Sequence, residues 1–298
     1  MKKRLIILIV FLLFLLSCGG VEETDSDSDE TEDIETSDSD TFDGSEVIKF
    51  KDVNLEKCVR TKIQKPEGEI TVEDVKNVKS LDCLRMNIKV LDGIEKLPSL
   101  SNISFYENDI KDFSSLKGIN TLKKLNIFRN ENVDINTLSE LNSLEELDVS
   151  SCGLTTLEPL KNLEFLKVLS ANTNNLTSIE EVKNLTGLTW LAVSFNQLNS
   201  LKGVENISGL KRLTAISNNL TSIEEVKNLT GLESVILNKN YLKNDDLPVL
   251  LNLVNLEHLN IRENCITDFT VIDQMKENLP DAEILGGIIE AQDPARCN

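Results

Sequence analysis

Few side chains in this chain of 298 residues have the chemistry of a catalyst. His258 is the only histidine, and the one hydroxyl that a neighbouring strand would place beside it is that of Ser234. We see no orienting acid and no oxyanion hole for this pair, and acyl transfer needs both. Glu146 and Asp148 could form a carboxylate pair, but an open, solvated surface would shift neither pKa. We therefore expect no enzymatic activity.

The six cysteines also lack the spacing of a metal site, because the sequence contains no CxxC and no second histidine. We expect no metal and no cofactor. In an exported protein cysteines are oxidised, and we predict that Cys58 pairs with Cys83 and that Cys265 pairs with Cys297. Each bridge would tie a terminal segment to the neighbouring repeat. Cys152 is predicted to be a buried free thiol.

The first 17 residues predict a signal peptide, because three basic residues precede an apolar run (residues 5–16) that is short for a membrane span. The sequence LLSC at 15–18 resembles the lipobox of bacterial lipoproteins. That resemblance implies cleavage before Cys18 and acyl chains on Cys18 that anchor the protein in a membrane. Gly19 in place of Asp implies sorting to the outer membrane in a cell with two membranes. The alternative is an ordinary signal peptide with an incidental cysteine.

Residues 18–46 are predicted to form an extended acidic tether. Residues 22–46 hold 13 acidic residues and no basic one. A calcium loop is not expected, since Glu30 and Thr36 occupy the positions that require Gly and Glu. Beyond residue 46 the chain is mildly acidic, with 37 acidic and 28 basic residues. Because no basic stripe is present, we expect no nucleic-acid partner.

From residue 78 onward the sequence repeats with a period of 22 residues over seven successive steps, and the eighth step is 24 residues. Nine units follow the pattern LxxLxLxxNxIxxLxxLxxLxx, and they begin at Val78, Leu100, Leu122, Leu144, Leu166, Leu188, Leu210, Leu232 and Leu256. This pattern is typical of leucine-rich repeats, and its length resembles that of bacterial internalins. It predicts an α/β leucine-rich repeat solenoid. Such a solenoid has a curved parallel sheet on its concave face and short helices or 3-10 turns on its convex face.

Within each unit the LxL segment predicts a short strand, and the following Asn would bond backbone groups where the chain turns inward. The ends of the stack must be covered. Residues 47–77 are predicted to form a helical N-terminal cap, with Leu55, Cys58, Val59 and Ile63 on one inward helical face. Residues 78–277 form the nine repeats, and residues 278–298 form a C-terminal cap and tail.

A duplicated segment indicates where ligand contacts would lie. NNLTSIEEVKNLTGL occurs at 174–188 and again at 218–232, whereas the strands that follow differ. The duplicated segment, which would form the scaffold of the repeat, is thus retained, whereas the outward residues of the strands change. This difference favours a binding role for the concave face. The candidate site residues there are Tyr106, Phe128, Arg129, Glu146, Asp148, Trp190, Phe195, Arg212, Ile216, Ile236, His258 and Arg262. The alternative is an idle surface, with Phe128 or Phe195 folded over the rim of the core.

Tyr106 and Phe128 should stand side by side, and Trp190 should form a second apolar patch with Ile216 and Ile236. Aromatic residues near arginine are typical of protein-binding hot spots. We therefore expect a monomer with a protein partner, held in the cell envelope with the outer membrane or cell surface favoured. The internalin resemblance implies adhesion or recognition. The alternative is a periplasmic scaffold lipoprotein that assembles envelope components, and a glycan-binding role ranks third.

Overall fold

The computed structural model describes residues 44–286 and residue 297. The predicted signal peptide, Cys18 and almost all of the acidic tether lie outside these residues. None of the helices in the described part is long and apolar enough to cross a membrane.

One parallel sheet of ten strands runs through the described chain, with the strands in sequence order. Each strand pairs with the next in register, residue by residue. The strands are β1 Ser80–Asp82, β2 Asn102–Ser104, β3 Lys124–Asn126, β4 Glu146–Asp148, β5 Val168–Ser170, β6 Trp190–Ala192, β7 Arg212–Thr214, β8 Ser234–Ile236, β9 His258–Asn260 and β10 Glu283–Leu285. The predicted leucine-rich repeat solenoid is confirmed.

Short helices return the chain from each strand to the next. The 3-10 helices are Ile94–Lys96, Ser114–Leu116, Ile135–Leu138, Glu158–Leu160, Glu180–Asn184, Val204–Asn206, Glu224–Val226, Asn244–Asp246 and Pro248–Asn252. The α-helices are α1 Val53–Ile63, α2 Val72–Val75 and α3 Thr270–Asn278. The repeated leucines and isoleucines fill one contiguous core along the stack. Because each unit buries its apolar side against its neighbours, stability is shared between adjacent units.

Buried asparagines form a ladder inside the turns after the strands. Asn130 donates from Nδ2 to the carbonyls of Phe105 and Ile127, both at 2.9 Å, and its Oδ1 accepts from the Ile110 N–H at 3.0 Å. The same three bonds recur at Asn240. Since an unpaired buried polar group costs about 1–3 kcal/mol, these bonds explain why Asn recurs at this position in most units.

Cys152 replaces asparagine at one ladder position and is a buried free thiol, as predicted. Its Sγ lies 3.3 Å from the Ile127 carbonyl, and burial raises the pKa of the thiol to about 12. At other positions the ladder Oδ1 accepts an N–H of the preceding unit; the Leu154 N–H bonds Asn174 in this way. Cys152 has no amide oxygen to accept such an N–H. In the unit that precedes Cys152, the backbone takes another course: Asn132 has a left-handed φ of 60°, and Val133 is buried beside it.

The helical segment that precedes β1 is fastened to the first repeat. The Asp52 carboxylate caps α1 through the Asn54 N–H at 2.8 Å and also accepts the Lys89 N–H of the first repeat at 2.7 Å. The predicted Cys58–Cys83 disulfide joins α1 to the chain after β1, with 5.6 Å between the Cα atoms. At the other end, the predicted Cys265–Cys297 disulfide is also present. Both ends of the stack are therefore covalently tied to adjacent segments.

Candidate functional site

The concave face is ordered into four rows of side chains, one residue per strand in each row. Row 1 is the first strand residue, row 2 the third, row 3 the residue two positions beyond the strand, and row 4 the next residue. From the first to the ninth strand, every row 4 residue has a left-handed φ between 52° and 64°, although none is glycine: Arg85, Glu107, Arg129, Ser151, Thr173, Phe195, Ser217, Lys239 and Glu263. A conformation that costs about 1–2 kcal/mol per residue is thus imposed by stacking of the turns.

Stacked rings form what we call the N-terminal patch, which consists of Leu84, Arg85, Tyr106, Glu107, Phe128 and Arg129. The rings of Tyr106 and Phe128 lie on adjacent strands, 5.1 Å apart between centroids and 4° from parallel. Leu84 extends this row toward the cap and is 49% exposed. Phe128 is buried, yet it lies outside the contiguous core. It is therefore part of the concave face and not a packing residue of the solenoid interior.

Two arginines flank the stacked rings. The guanidinium of Arg85 lies 5.4 Å from the Tyr106 centroid, and that of Arg129 lies 5.3 Å from the Phe128 centroid. Both form ion pairs with Glu107. Burial opposes ionisation of Glu107, but the hydrogen bonds from Arg129 and Arg85 outweigh it and hold the carboxyl pKa below its usual value. Two guanidinium groups thus share one carboxylate, which leaves one net positive charge.

What we call the central patch consists of Trp190 and Arg212 in row 1 of β6 and β7, Ile236 in row 2 of β8, and Ile216 in row 3 after β7. Trp190 and Arg212 are paired in register on β6 and β7, and the guanidinium lies 5.8 Å from the Trp190 ring centroid. No carboxylate among residues 44–286 is within ion-pairing distance of Arg212. The two isoleucines are partly exposed. The central patch therefore repeats the combination of aromatic ring and guanidinium.

Between the two patches the floor consists of small, mostly polar residues. Asp148, Ser150, Ser170, Asn172, Ala192 and Ser194 are all buried, with at most 7% exposure. Ser150 Oγ accepts the Asn172 N–H at 3.0 Å, and Asn172 Oδ1 accepts the Ser194 N–H at 2.8 Å. Ser194 Oγ in turn accepts the Ile216 N–H at 3.0 Å. These side chains form a second ladder that satisfies backbone donors facing the concave side.

Asp148 corrects the expectation that this surface is solvated. It is 7% exposed, and its Oδ1 accepts the Ser150 N–H at 2.9 Å. Burial raises the pKa of its carboxyl from 3.8 to about 6. Glu146, on the same strand, is half-buried and pairs with Lys124 at 2.8 Å. The two carboxylates are therefore separate in environment, and Asp148 serves the backbone.

His258 has the orienting acid that the sequence did not predict. Its Nδ1 lies 3.3 Å from Glu283 Oε2 on β10, and Ser234 is its register partner on β8. No hydrogen bond joins Ser234 to His258 among the described residues. The backbone N–H groups of both residues are used in the sheet, by the carbonyls of Lys211 and Glu233, so no oxyanion donor is available from them. Ser234 and His258 therefore provide neither a serine–histidine hydrogen bond nor backbone oxyanion donors of their own, and acyl transfer uses both.

The remaining predicted site residues are not part of either patch. Arg262 lies in row 3 after β9 and is half-buried, and Phe195 lies in row 4 after β6 and is also half-buried. Among the described residues, no three His, Cys, Asp or Glu side chains are grouped so that they could hold a metal ion. The site that the structure brings together is thus a pair of aromatic–arginine patches.

Comparison with known proteins places this geometry among solved leucine-rich repeat structures. No protein-family model and no curated protein matches the sequence. Internalin C2 from Listeria monocytogenes is 28% identical, with a TM-score of 0.66 over 73% of this chain and 94% of that chain. The fold is an internalin-like leucine-rich repeat solenoid.

Two further solved structures share the fold at lower identity. A leucine-rich repeat protein from Leptospira interrogans is 18% identical, with a TM-score of 0.58 over 72% of this chain and 67% of that chain. The ectodomain of a membrane receptor kinase from Arabidopsis thaliana was solved in complex with CASPARIAN STRIP INTEGRITY FACTOR 2. It is 21% identical, with a TM-score of 0.53 over 63% of this chain and 24% of that chain.

Three members of the N-terminal patch of this internalin-like solenoid were not among the predicted site residues. Leu84 and Arg85 belong to the first repeat, and Glu107 follows Tyr106 in row 4. Counting outward positions from Val78 as well as from Leu100 would have identified the first two. Glu107 is itself an outward residue, but its role between two arginines depends on the left-handed turn, which strand alternation does not predict.

Proposed function

We propose that this internalin-like solenoid is a lipid-anchored envelope protein that binds a protein partner through its concave face, in adhesion or recognition. The observation that supports this most is the N-terminal patch. Stacked rings of Tyr106 and Phe128, flanked by Arg85 and Arg129, combine an apolar surface with fixed hydrogen-bond donors. Tyr, Trp and Arg are the residues that contribute most to protein–protein binding energy.

The dimensions of the concave face suit a partner of ordinary size. Along a strand, rows 1 and 3 are four residues apart, or about 13 Å. Across the strands, the midpoint between Tyr106 and Phe128 is about three and a half strand spacings from Trp190, or about 17 Å. A standard interface buries about 800 Å² on each partner, which spans roughly 30 Å. Both patches can therefore be covered in one interface.

Site-specific photo-crosslinking on intact cells tests the concave face. A benzoylphenylalanine would replace Tyr106, Trp190 or, as a control, Phe165. Phe165 is 67% exposed and lies three residues before β5, outside the concave rows. We expect protease-sensitive adducts of one mass from positions 106 and 190 and none from position 165. Adducts from position 165 alone, or protease-resistant adducts that a glycosidase removes, would contradict a protein partner on this face.

The anchor and the side of the envelope form a separate part of the proposal, supported by the LLSC sequence at 15–18 and the acidic segment that follows it. Protease treatment of unbroken cells should release the repeat domain by cutting within residues 18–46. Release would support an exposed position and a recognition role. Protection until the outer envelope is opened would favour the periplasmic scaffold in place of a surface receptor.

A further inference from the structure

The two patches present the same chemistry at two places on the concave face. Each places a guanidinium within 6 Å of an aromatic ring, at Arg85, Arg129 and Arg212. The chain beyond residue 46 has an excess of nine acidic residues, 37 against 28. These arginines are therefore local positive sites on a negative molecule, and they would attract an anionic group.

The arginines retain capacity for a further acceptor. A guanidinium carries five N–H donors in a planar fork. Arg85 donates to Glu107 through Nε and to the Tyr106 hydroxyl through Nη2 at 3.5 Å, and Arg129 donates to Glu107 through Nη1, so each has donors left. Arg212 has no carboxylate partner among the described residues. An incoming carboxylate would gain charge-assisted hydrogen bonds at both patches, and an apolar side chain beside it would cover the adjacent ring.

We propose that each patch receives an acidic side chain that lies next to an apolar one, so that the partner is an acidic protein segment with two acidic–apolar anchors. This rests on the proposed function. The row and strand offsets of about 13 Å and 17 Å put the anchors roughly 20 Å apart, which an extended segment covers in about six residues. The small residues of the floor lie between the two patches, along the line that such a segment would follow.

Charge complementarity favours this partner over a basic segment. Glu107 is the only carboxylate of the two patches, and two arginines already neutralise it. A lysine or arginine of a partner would have to compete with both. A neutral partner would leave Arg212 desolvated and without a counter-charge, which costs free energy.

The probe is a synthetic peptide, Asp-Phe-Asp-Gly-Ser-Gly-Asp-Phe-Asp, whose phenylalanines are six residues apart. The matched peptide has Asn at all four Asp positions. Both carry a fluorescent label, and binding to the full-length protein is followed by fluorescence anisotropy. Trp190 is the only tryptophan of the chain, so its own emission reports contact at the central patch. We expect the acidic peptide to bind at least about tenfold more tightly than the amide peptide, with the difference shrinking at high salt. Equal affinities, or tighter binding of the amide peptide, would overturn the inference.

Charge-matched variants locate the effect. Arg212→Gln should reduce the acidic peptide's advantage, and Arg212→Lys, which keeps the charge but not the fork, should recover part of it. Lys227→Gln removes one positive charge at a 3-10 helix on the other side of the coil and should change nothing. Unchanged urea midpoints would show that all three variants fold. An equal loss in the Arg212→Gln and Lys227→Gln proteins would show that only net charge matters and would refute the anchors.

The outcomes for the inference and for the proposed function are separable. If photo-crosslinking captures a protein at positions 106 and 190 but the two peptides bind equally, the acidic anchors are wrong and the protein-binding face stands. If the crosslinker labels no protein at these positions while the acidic peptide is preferred, the arginine sites exist but the proposed function fails.

Discussion

Replacement of Asp148 by Asn should stabilise the protein above pH 6 and leave it nearly unchanged at pH 4. Asp148 is buried in the middle of the sheet, and the pKa of its carboxyl is raised to about 6 from 3.8. Between these values the unfolded chain releases its proton while the folded protein keeps it. The free energy of unfolding therefore falls as pH rises from about 4 to about 6, and the loss persists at higher pH.

The size of the effect follows from the shift of about two pKa units. At 1.36 kcal/mol per unit, the ionised carboxylate costs the folded state up to roughly 3 kcal/mol at pH 7 and above. Asparagine removes the charge and keeps the Oδ1 that accepts the Ser150 N–H. The chain supplies its own precedent, because Asn126 and Asn260 occupy the same row and accept the N–H two residues ahead at 2.9 and 3.2 Å.

Urea unfolding of the wild-type and Asp148→Asn proteins between pH 4 and pH 8 measures the difference. We expect the stability advantage of the variant to grow with pH and level off near pH 7. The reciprocal change, Asn126→Asp, should instead cost stability at pH 8 and little at pH 4. If the difference in unfolding free energy between the two proteins does not change with pH, or changes in the opposite direction, burial of Asp148 does not have the role assigned to it.

Three further changes have defined outcomes. Replacing Cys58 and Cys83 together with Ser should lower the free energy of unfolding by about 3 kcal/mol, as expected for a loop of this length, and a midpoint unchanged from that of the wild type would contradict the bridge. Gly203→Ala should lower the free energy of unfolding by about 2 kcal/mol more than Gly118→Ala does. Both glycines have positive φ, but only a Cβ at position 203 would meet a carbonyl oxygen, at 2.9 Å. Equal urea midpoints of the two variants would contradict this. Cys18→Ser should abolish metabolic labelling with an alkyne palmitate and release the protein from membranes, and persistent labelling would exclude Cys18 as the acylation site.

The fold was predictable because its determinants are local and repeated. The repeat places an Asn in seven of its nine units where two carbonyls and one N–H must be satisfied, so the ladder at Asn130 and Asn240 follows from the pattern itself. The disulfide between Cys58 and Cys83 was predictable for a similar reason, since both residues face inward on adjoining elements. These predictions needed only the direction of each side chain.

The site was predictable in part, because exposure depends on neighbours as well as on direction. Tyr106 and Phe128 were placed correctly as adjacent outward residues. Asp148 is equally outward in the pattern, yet crowding of the small residues around it leaves it buried. The pairing of Arg85 with Glu107 depends on left-handed turns that direct row 4 side chains toward the next repeat. Alternation of hydrophobic residues does not predict such turns.

Binding of a protein by the concave patches is tested most directly by the affinity of the cross-linked partner for two variants. The Tyr106→Ser/Trp190→Ser double variant should bind that partner at least about 100-fold more weakly than the wild type, because each hot-spot side chain contributes about 2 kcal/mol or more. Phe165→Ser, which removes an exposed aromatic ring outside the concave rows, should bind as the wild type does. Equal affinities of the double variant and the Phe165→Ser protein would contradict a partner on the concave face.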